Sequence, residues 1–242
     1  MGAKFRAIIS FMTRLPVPIR QEDFDSLSRS APLFPVVGAV VGLGLYSVWE
    51  LLEILQIQAS LLRGPILLAV YYLLCGGIHL DGVADVWDGM NCGGDSSKIF
   101  QAMSDSCIGT FGTLGLITVV GLGFLGLSHA GGLALFLTPI VGRSVALLLI
   151  SLYPAAKPSG LGKPMIDYCG RYTAIISLVC LALVAWFLPG APMAYLVISI
   201  LFLLKFRPFI QRINGVTGDL IGFTIEMSQW IFLFVIQGGN FL

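Results

Sequence analysis

The sequence predicts an all-α bundle of about seven membrane-spanning helices in a single domain covering residues 1–242, and three observations support this fold class. Hydrophobic residues make up 57% of the chain and charged residues only 11%, whereas about 25% of the residues in a soluble domain are charged. Apolar stretches close to the roughly 20 residues that cross a bilayer as helix recur along the chain. Basic residues are concentrated in alternate connections between these stretches. Together the observations indicate an integral membrane protein that crosses the lipid bilayer several times.

The predicted spans follow from apolar length and from the residues at the joints. Seven stretches qualify, namely residues 32–55, 64–79, 110–128, 133–153, 172–188, 191–204 and 219–237. Glycine and proline cluster at 128–132 and at 188–192, which is typical of tight turns between neighbouring helices. We detect no internal repeat or low-complexity segment, so we expect one domain.

The distribution of basic residues predicts the orientation of the bundle. Twelve of the fourteen basic residues fall on one predicted side: Lys4, Arg6, Arg14, Arg20, Arg29, Lys98, Lys157, Lys163, Arg171, Lys205, Arg207 and Arg212. Arg63 falls on the other side, and Arg143 lies within the fourth span. Because basic loops remain in the cytoplasm, we expect a cytoplasmic amino terminus. Most aspartates then face the cytoplasm too.

Composition also excludes several classes of function. The net charge of +1 gives no sign of a polyanion-binding surface, so we expect no nucleic-acid partner. The five cysteines show no CxxC spacing, which argues against a zinc site or a disulfide framework. The first 29 residues mix charges with short apolar runs, so we expect no cleaved signal peptide.

The segment HLDGVADVWDG at 79–89 is the most informative stretch of the chain. On a helix, Asp81, Asp85 and Asp88 project at about 0°, 40° and −20°, which forms one narrow stripe. Three carboxylates on a stripe repel one another unless a cation neutralises them, and such oxygen ligands suit Mg²⁺ or Mn²⁺. The alternative is a solvated acidic face. Ionisable groups next to apolar spans are costly and usually functional, which favours the metal site.

Two further elements add carboxylates. Asp105 precedes the third span, where it either caps the following helix or acts as a metal ligand or general base. Asp219 and Glu226 lie on one face of the last span, with Glu226 about 10 Å deeper along the axis. Alternatively, Asp219 is only a residue at the amino-terminal end of a helix, where the helix dipole favours a negative charge. An intramembrane carboxylate such as Glu226 is a functional candidate by default.

Two other polar residues have open assignments. Arg143 either neutralises a carboxylate or contacts a substrate phosphate. His79 is either a ligand or an interfacial histidine that donates to a carbonyl.

Carboxylates, glycines and cations on one membrane face are typical of sites for metal-assisted phosphoryl transfer. In such sites metals neutralise the phosphate charge, and an aspartate accepts the proton of the attacking hydroxyl group.

These residues resemble the cobalamin synthase family. The resemblance rests on FMTRLPVP at 11–18, Ser28-Arg29, FPVVG at 34–38, the whole 79–89 segment, Asp105-Ser106 with IGT at 108–110, Gly142-Arg143, and TGD at 217–219 with Gly222 and Glu226. It covers essentially the full chain. It implies that α-ribazole, or its 5′-phosphate, is joined to adenosylcobinamide-GDP with release of GMP, using Mg²⁺ at the cytoplasmic face of the cell membrane. A homo-oligomer is compatible with the sequence.

The resemblance also implies roles for individual residues. The expected metal ligands are Asp81, Asp85, Asp88, Asp219 and Glu226. The expected catalytic residues are Asp105 and Asp88. The expected substrate-binding residues are Arg14, Arg29, His79, Arg143 and Thr217.

The chain departs from the family pattern at four positions. The family usually has a basic residue at Ser104 and at Cys107, a glycine at Asn214 and an acid at Gln229. The two missing cations put phosphate contacts near Cys107 in doubt, unless Lys98 or Lys163 replaces them.

Two other functions compete with this prediction. CDP-alcohol phosphotransferases also carry an aspartate-rich helix in a membrane, but their Ala-Arg pair and following aspartate spacing are absent here. A cation transporter would place its acids near the bilayer midplane in pseudo-repeated broken helices. The acids of this chain cluster at one face instead.

Overall fold

The computed structural model describes residues 2–18, 20–160, 162–188 and 205–238, and these residues are predominantly helical. The helices are α1 (Ala3–Met12), α2 (Gln21–Leu27), α3 (Phe34–Ile54), α4 (Ser60–Cys75), α5 (Ile78–Asn91), α6 (Ser96–Met103), α7 (Thr110–His129), α8 (Gly132–Leu152), α9 (Lys163–Tyr168), α10 (Arg171–Phe187), α11 (residues 205–212) and α12 (Gly218–Gly238). A 3₁₀ turn, Ala31–Leu33, precedes α3. The all-α membrane fold is therefore confirmed.

Four helices of the described residues are long and apolar enough to cross a membrane. They are Ala31–Ile54, Thr110–His129, Gly132–Leu152 and Gly218–Gln237, which agree with four of the predicted spans. Arg171–Phe187 is a shorter apolar helix at the position of the fifth. The predicted span 191–204 lies outside the described residues. The number of seven spans stays a prediction.

The predicted span 64–79 differs from the structure. Helix α4 begins earlier, at Ser60, ends at Cys75, and is followed by α5 at an angle of 95°. Gly76 and Gly77 make the break because both have left-handed backbones, with φ of +70° and +65°, which glycine adopts without steric cost. The pair counts as a fifth span only if its two helices are taken together. The break directs the aspartate-bearing α5 across the ends of other helices.

Helix α8 packs against α3, α10 and α12 in the centre of the bundle. The α3 contact is close because Gly38 and Gly42 face the backbone of α8: a Cβ built at Gly42 would come within 2.1 Å of the Phe136 carbonyl oxygen. Small residues at such crossings let the backbones of membrane helices approach each other. The helix interfaces of the bundle are therefore fixed by glycine positions.

Helix α5 is held between α7 and α12. On one side, a Cβ at Gly82 would lie 2.4 Å from the Asp219 carbonyl oxygen. On the other, a Cβ at Gly115 would lie 2.5 Å from the Trp87 ring. These contacts place the predicted aspartate stripe beside the first turns of both spans.

A short loop after α8 completes this end of the molecule. The Val216 N–H donates to the Pro154 carbonyl at 2.8 Å, and the Ala156 N–H donates to the Val216 carbonyl at 2.9 Å. These two segments form an isolated parallel β-bridge between Ala155 and Val216. The loop is thereby attached to the residues that lead into α12.

Candidate functional site

A cavity of about 430 Å³ opens where the first turns of α5 and α12 meet the loop after α8. It combines two carboxylates with two cations and a histidine. The polar side chains on which its chemistry depends are His79, Asp81, Lys157, Lys163, Thr217 and Asp219. The sequence predictions for His79, Asp81, Thr217 and Asp219 thus converge on a single cavity.

The two cavity-lining aspartates, Asp81 and Asp219, interact electrostatically with a third, Asp85. Asp85 lies on α5, outside the four long spans, and is partly buried. Burial, and then the negative charges of Asp81 and Asp219, raise the pKa of Asp85 to about 7, while Lys157 opposes the rise. Ionising all three carboxylates therefore costs free energy that a bound cation would recover.

The donor chemistry of this cluster fits a magnesium ion. Carboxylate oxygens are the ligands that Mg²⁺ takes from proteins, together with water and substrate phosphates. As the side chains are placed, no three His, Cys, Asp or Glu residues of the described ranges converge on one point. The fit therefore rests on the oxygen donors and on the mutual repulsion of Asp81, Asp85 and Asp219.

Asp88 lies on the same helix but makes different contacts. Its Oδ2 accepts the Gly109 N–H at 2.7 Å, and its Oδ1 accepts the Gly112 N–H at 2.8 Å. The carboxylate therefore holds the first turn of α7, whose amide groups favour an anion. A Cβ at Gly109 or Gly112 would overlap this carboxylate. The structure supports a capping role, while the metal-binding and catalytic roles of Asp88 stay predictions.

Asp105 lies in a second, more open cavity of about 320 Å³ that it shares with Asp88. The side chain is exposed, and its Oδ1 accepts the Cys107 N–H at 2.9 Å. Asp105 therefore neighbours the predicted stripe at Asp88. Its role as a proton acceptor stays a prediction.

His79 and Thr217 form part of the wall of the first cavity. His79 is 7% exposed, and its Nε2 has no hydrogen-bond partner among the residues that the structure describes. Burial, and then the charge of Arg143, lower the pKa of His79 to about 3, so the imidazole is neutral. Thr217 caps α12, because its Oγ1 accepts the Leu220 N–H at 3.1 Å.

Glu226 lies apart from the aspartates, in a buried hydrogen-bond network. Its Oε1 accepts from the Tyr71 hydroxyl at 2.5 Å, and its Oε2 accepts from the Trp230 Nε1 at 3.0 Å. The Gln229 amide donates to the Tyr71 oxygen at 2.6 Å. Glu226 is not among the described residues that line either cavity. Its role as a metal ligand stays a prediction that this geometry does not favour.

The three arginines that were predicted to bind substrate are not among the described residues that line the first cavity. Arg143 is fully buried and donates to the Pro139 carbonyl and to the Cys75 sulfur, both at 3.3 Å. Within the described ranges, no ion pair joins it to a carboxylate. Arg14 packs its side chain against Gly76, and Arg29 is exposed. Their substrate-binding roles stay predictions.

The sequence analysis missed the loop that forms one wall of the cavity. Lys157, Ser159, Gly160, Gly162 and Lys163 all line it. Lys157 was assigned to membrane orientation alone, whereas Lys163 was also considered as a replacement for the missing cations near Cys107. The signal was the spacing itself, because a serine and two glycines between two lysines are typical of loops that approach phosphate closely.

Comparisons with known proteins identify the family of this chain. Residues 4–237 match the family described as cobalamin-5-phosphate synthase. Adenosylcobinamide-GDP ribazoletransferase of Leptospira interrogans is 35% identical over 249 residues, covering 95% of this chain and 92% of the relative. The enzymes of the same name from Shigella dysenteriae and Alkaliphilus oremlandii are 34% and 30% identical, covering 96% and 93% of this chain and 98% and 93% of those relatives. No solved structure matches the chain with statistical significance. The chain belongs to the cobalamin-5-phosphate synthase family.

Proposed function

We propose that this chain is a Mg²⁺-dependent adenosylcobinamide-GDP ribazoletransferase that accepts α-ribazole or its 5′-phosphate. The coarser function, a membrane transferase of cobalamin biosynthesis, follows from its family and relatives. The observation that carries the finer proposal is the single cavity in which Asp81 of α5 and Asp219 of α12 face Lys157. Carboxylates and an ammonium group around one space suit a metal-bound diphosphate.

The proposed reaction is a substitution at phosphorus. A ribose hydroxyl oxygen that is free in both α-ribazole and its 5′-phosphate, and therefore not the 5′-oxygen, attacks the phosphorus attached to cobinamide, and a new P–O bond forms. The bond between that phosphorus and the bridging oxygen breaks, and GMP departs with the electron pair. The hydroxyl proton passes to a carboxylate, for which Asp105 and Asp88 are the predicted acceptors.

We propose that Asp81, Asp85 and Asp219 hold the magnesium. When bound there, the ion supplies positive charge that stabilises the transferred and departing phosphates. Burial, and then repulsion by Asp81 and Asp219, raises the pKa of Asp85. A cation bound beside these carboxylates would offset both effects, which supports this assignment. Glu226 is left out of the ligand set on account of its contacts with Tyr71 and Trp230.

We propose that this cavity faces the cytoplasm in the cell membrane. Arg14, Lys157 and Lys163 lie near the cavity end of the bundle, which supports the orientation predicted from basic residues.

The test uses the detergent-purified chain with adenosylcobinamide-GDP, Mg²⁺ and either α-ribazole or α-ribazole 5′-phosphate. Chromatography follows GMP and the corrinoid product. We expect equal amounts of both products with at least one of the two nucleophiles. Failure to release GMP with either nucleophile would overturn the proposed function.

A further inference from the structure

The loop after α8 holds Lys157 in a defined position beside the first turn of α12. Lys157 directly follows Ala156, whose N–H donates to the Val216 carbonyl at 2.9 Å. A Cβ at Gly215 would come within 2.3 Å of the Pro154 carbonyl oxygen, so the two chain segments are in close contact. The position of Lys157 is therefore set by backbone hydrogen bonds on its amino-terminal side.

The ammonium group of Lys157 interacts with an aromatic ring and with two carboxylates. Its Nζ is 5.5 Å from the centre of the Phe100 ring, which is within the range of a cation–π interaction. It attracts the carboxylates of Asp85 and Asp219. Lys157 also lines the open cavity, so its charge is available to a ligand beside the carboxylates.

Two further features make this wall of the cavity suitable for an anion. The 21-residue helix α12 begins there at Gly218, and the amide groups of a first turn attract negative charge. Gly162 and Gly218 both line the cavity, and a Cβ built at Gly218 would meet no described atom within 4 Å, so the start of α12 is open to a phosphate. Independently, the cavity-lining His79 is nine-tenths buried, and its Nε2 lacks a hydrogen-bond partner within the described ranges.

We propose that Lys157, the loop glycines Gly160 and Gly162 and the first turn of α12 form the subsite that binds the diphosphate of the nucleotide-activated substrate. Lys157 is the main cation, because the Lys163 ammonium already pairs with Asp167. The assignment of a diphosphate rests on the proposed function, whereas the anion-binding character of the wall rests on its own residues. The Nε2 of His79 provides a further polar contact for the ligand.

A direct binding experiment tests this subsite. The detergent-purified full chain and its Lys157→Gln and Lys157→Arg variants are titrated with GDP and with guanosine, in the presence of Mg²⁺. Lys4→Gln is the matched control, since Lys4 is exposed on α1 and is not among the described residues that line the cavity. We expect Lys157→Gln to weaken GDP binding about tenfold or more, the loss typical of one charge-assisted hydrogen bond. Lys157→Arg restores part of it.

Guanosine and pyrophosphate separate phosphate recognition from a general structural effect. Guanosine affinity stays unchanged in every variant, and inorganic pyrophosphate competes with GDP in the wild type but more weakly in Lys157→Gln. With both substrates, the KM for adenosylcobinamide-GDP rises while the KM for α-ribazole does not. GDP affinity within twofold of wild type in Lys157→Gln, or an equal loss of guanosine affinity, would overturn the proposal.

The experiment distinguishes failure of the proposed function from failure of the proposed subsite. If no ribazole is transferred but GDP still binds in a Lys157-dependent manner, the subsite stands and the proposed function fails. If ribazole is transferred and Lys157→Gln retains both the KM and the GDP affinity of the wild type, the proposed function stands and the subsite fails.

Discussion

Gly82 of α5 lies directly against the backbone of Asp219 in α12: a Cβ at Gly82 would come within 2.4 Å of the Asp219 carbonyl oxygen and 2.9 Å of its Cα. Asp81 precedes Gly82 in the chain, so this contact brings together the backbones that carry two carboxylates from distant parts of the sequence. Gly222, one turn further along α12, packs less tightly against His79, since a Cβ there would lie 3.2 Å from the His79 Cα. The cavity therefore depends on a close helix crossing made by two glycines.

Gly82→Ala should move α5 away from α12, because the added methyl group overlaps backbone that no rotamer change can displace. We expect turnover to fall about a hundredfold, the cost of misplacing reacting groups by about an ångström. The control is Gly121→Ala in α7, where no described atom lies within 4 Å of the new Cβ. Turnover and membrane yield are measured for both. Wild-type turnover in Gly82→Ala would show that the crossing does not set the geometry of the site.

The second prediction concerns the metal. EDTA should abolish turnover and Mg²⁺ should restore it, since the carboxylates are expected to act with a bound cation. Asp81→Asn should lower turnover at least about a hundredfold, as expected for loss of a ligand. Asp25→Asn, on exposed α2, serves as the control for loss of a carboxylate charge. Full activity in excess chelator would remove the metal from the proposal.

The raised pKa of Asp85 predicts a pH dependence of metal activation. Below pH 7 the carboxyl group holds a proton that Mg²⁺ must displace. The Mg²⁺ concentration for half-maximal turnover should therefore rise about tenfold for each pH unit below 7, as expected for release of one proton. Turnover is measured against Mg²⁺ between pH 6 and 8. A half-maximal concentration that is constant across this range would contradict the assignment of Asp85.

The same shift has a consequence for stability without metal. Because the pKa of Asp85 is higher in the folded protein than in an unfolded chain, the folded state retains a proton that the unfolded state loses between about pH 4 and 7. Stability of the metal-free protein should fall as the pH rises through this window. Asp85→Asn should remove this part of the pH dependence and also the stabilisation by Mg²⁺. Thermal unfolding in detergent, with and without Mg²⁺, measures both effects, and identical pH profiles in the two proteins would contradict the prediction.

Apolar length predicted the helices that cross the bilayer, but it could not predict how α5 is placed. The four long spans are uninterrupted runs whose burial in lipid requires helix. The break at Gly76–Gly77 lies at the end of such a run, and only the backbone angles reveal the 95° turn. The position of Lys157 in the cavity wall was not predicted, because cytoplasmic loops of membrane proteins are basic whether or not their residues contact a ligand. The contacts of Asp88 with α7 were likewise hidden, since they link residues more than twenty positions apart.

For Glu226, helical periodicity and the contacts in the structure indicate different roles. It lies seven residues after Asp219, so it falls on nearly the same face of α12 as Asp219. At that depth, however, the neighbours are Tyr71, Gln229 and Trp230, which together donate hydrogen bonds to the carboxylate. A buried carboxylate with several donors is a structural acceptor whose removal leaves those donors unsatisfied.

Glu226→Gln should therefore act on the packing of α4 against α12 and not on the metal. The amide offers one acceptor oxygen where the carboxylate offers two, so one of the Tyr71 and Trp230 contacts is lost. We expect a lower thermal stability and reduced turnover, with the half-maximal Mg²⁺ concentration unchanged. Ser228→Ala is a control on the same helix, because its hydroxyl bonds only to backbone carbonyls of α12 among the described residues. Turnover, its Mg²⁺ dependence and thermal unfolding are compared at matched membrane yield. A collapse of turnover together with a raised Mg²⁺ requirement would instead assign Glu226 to the metal site, as the sequence alone predicted.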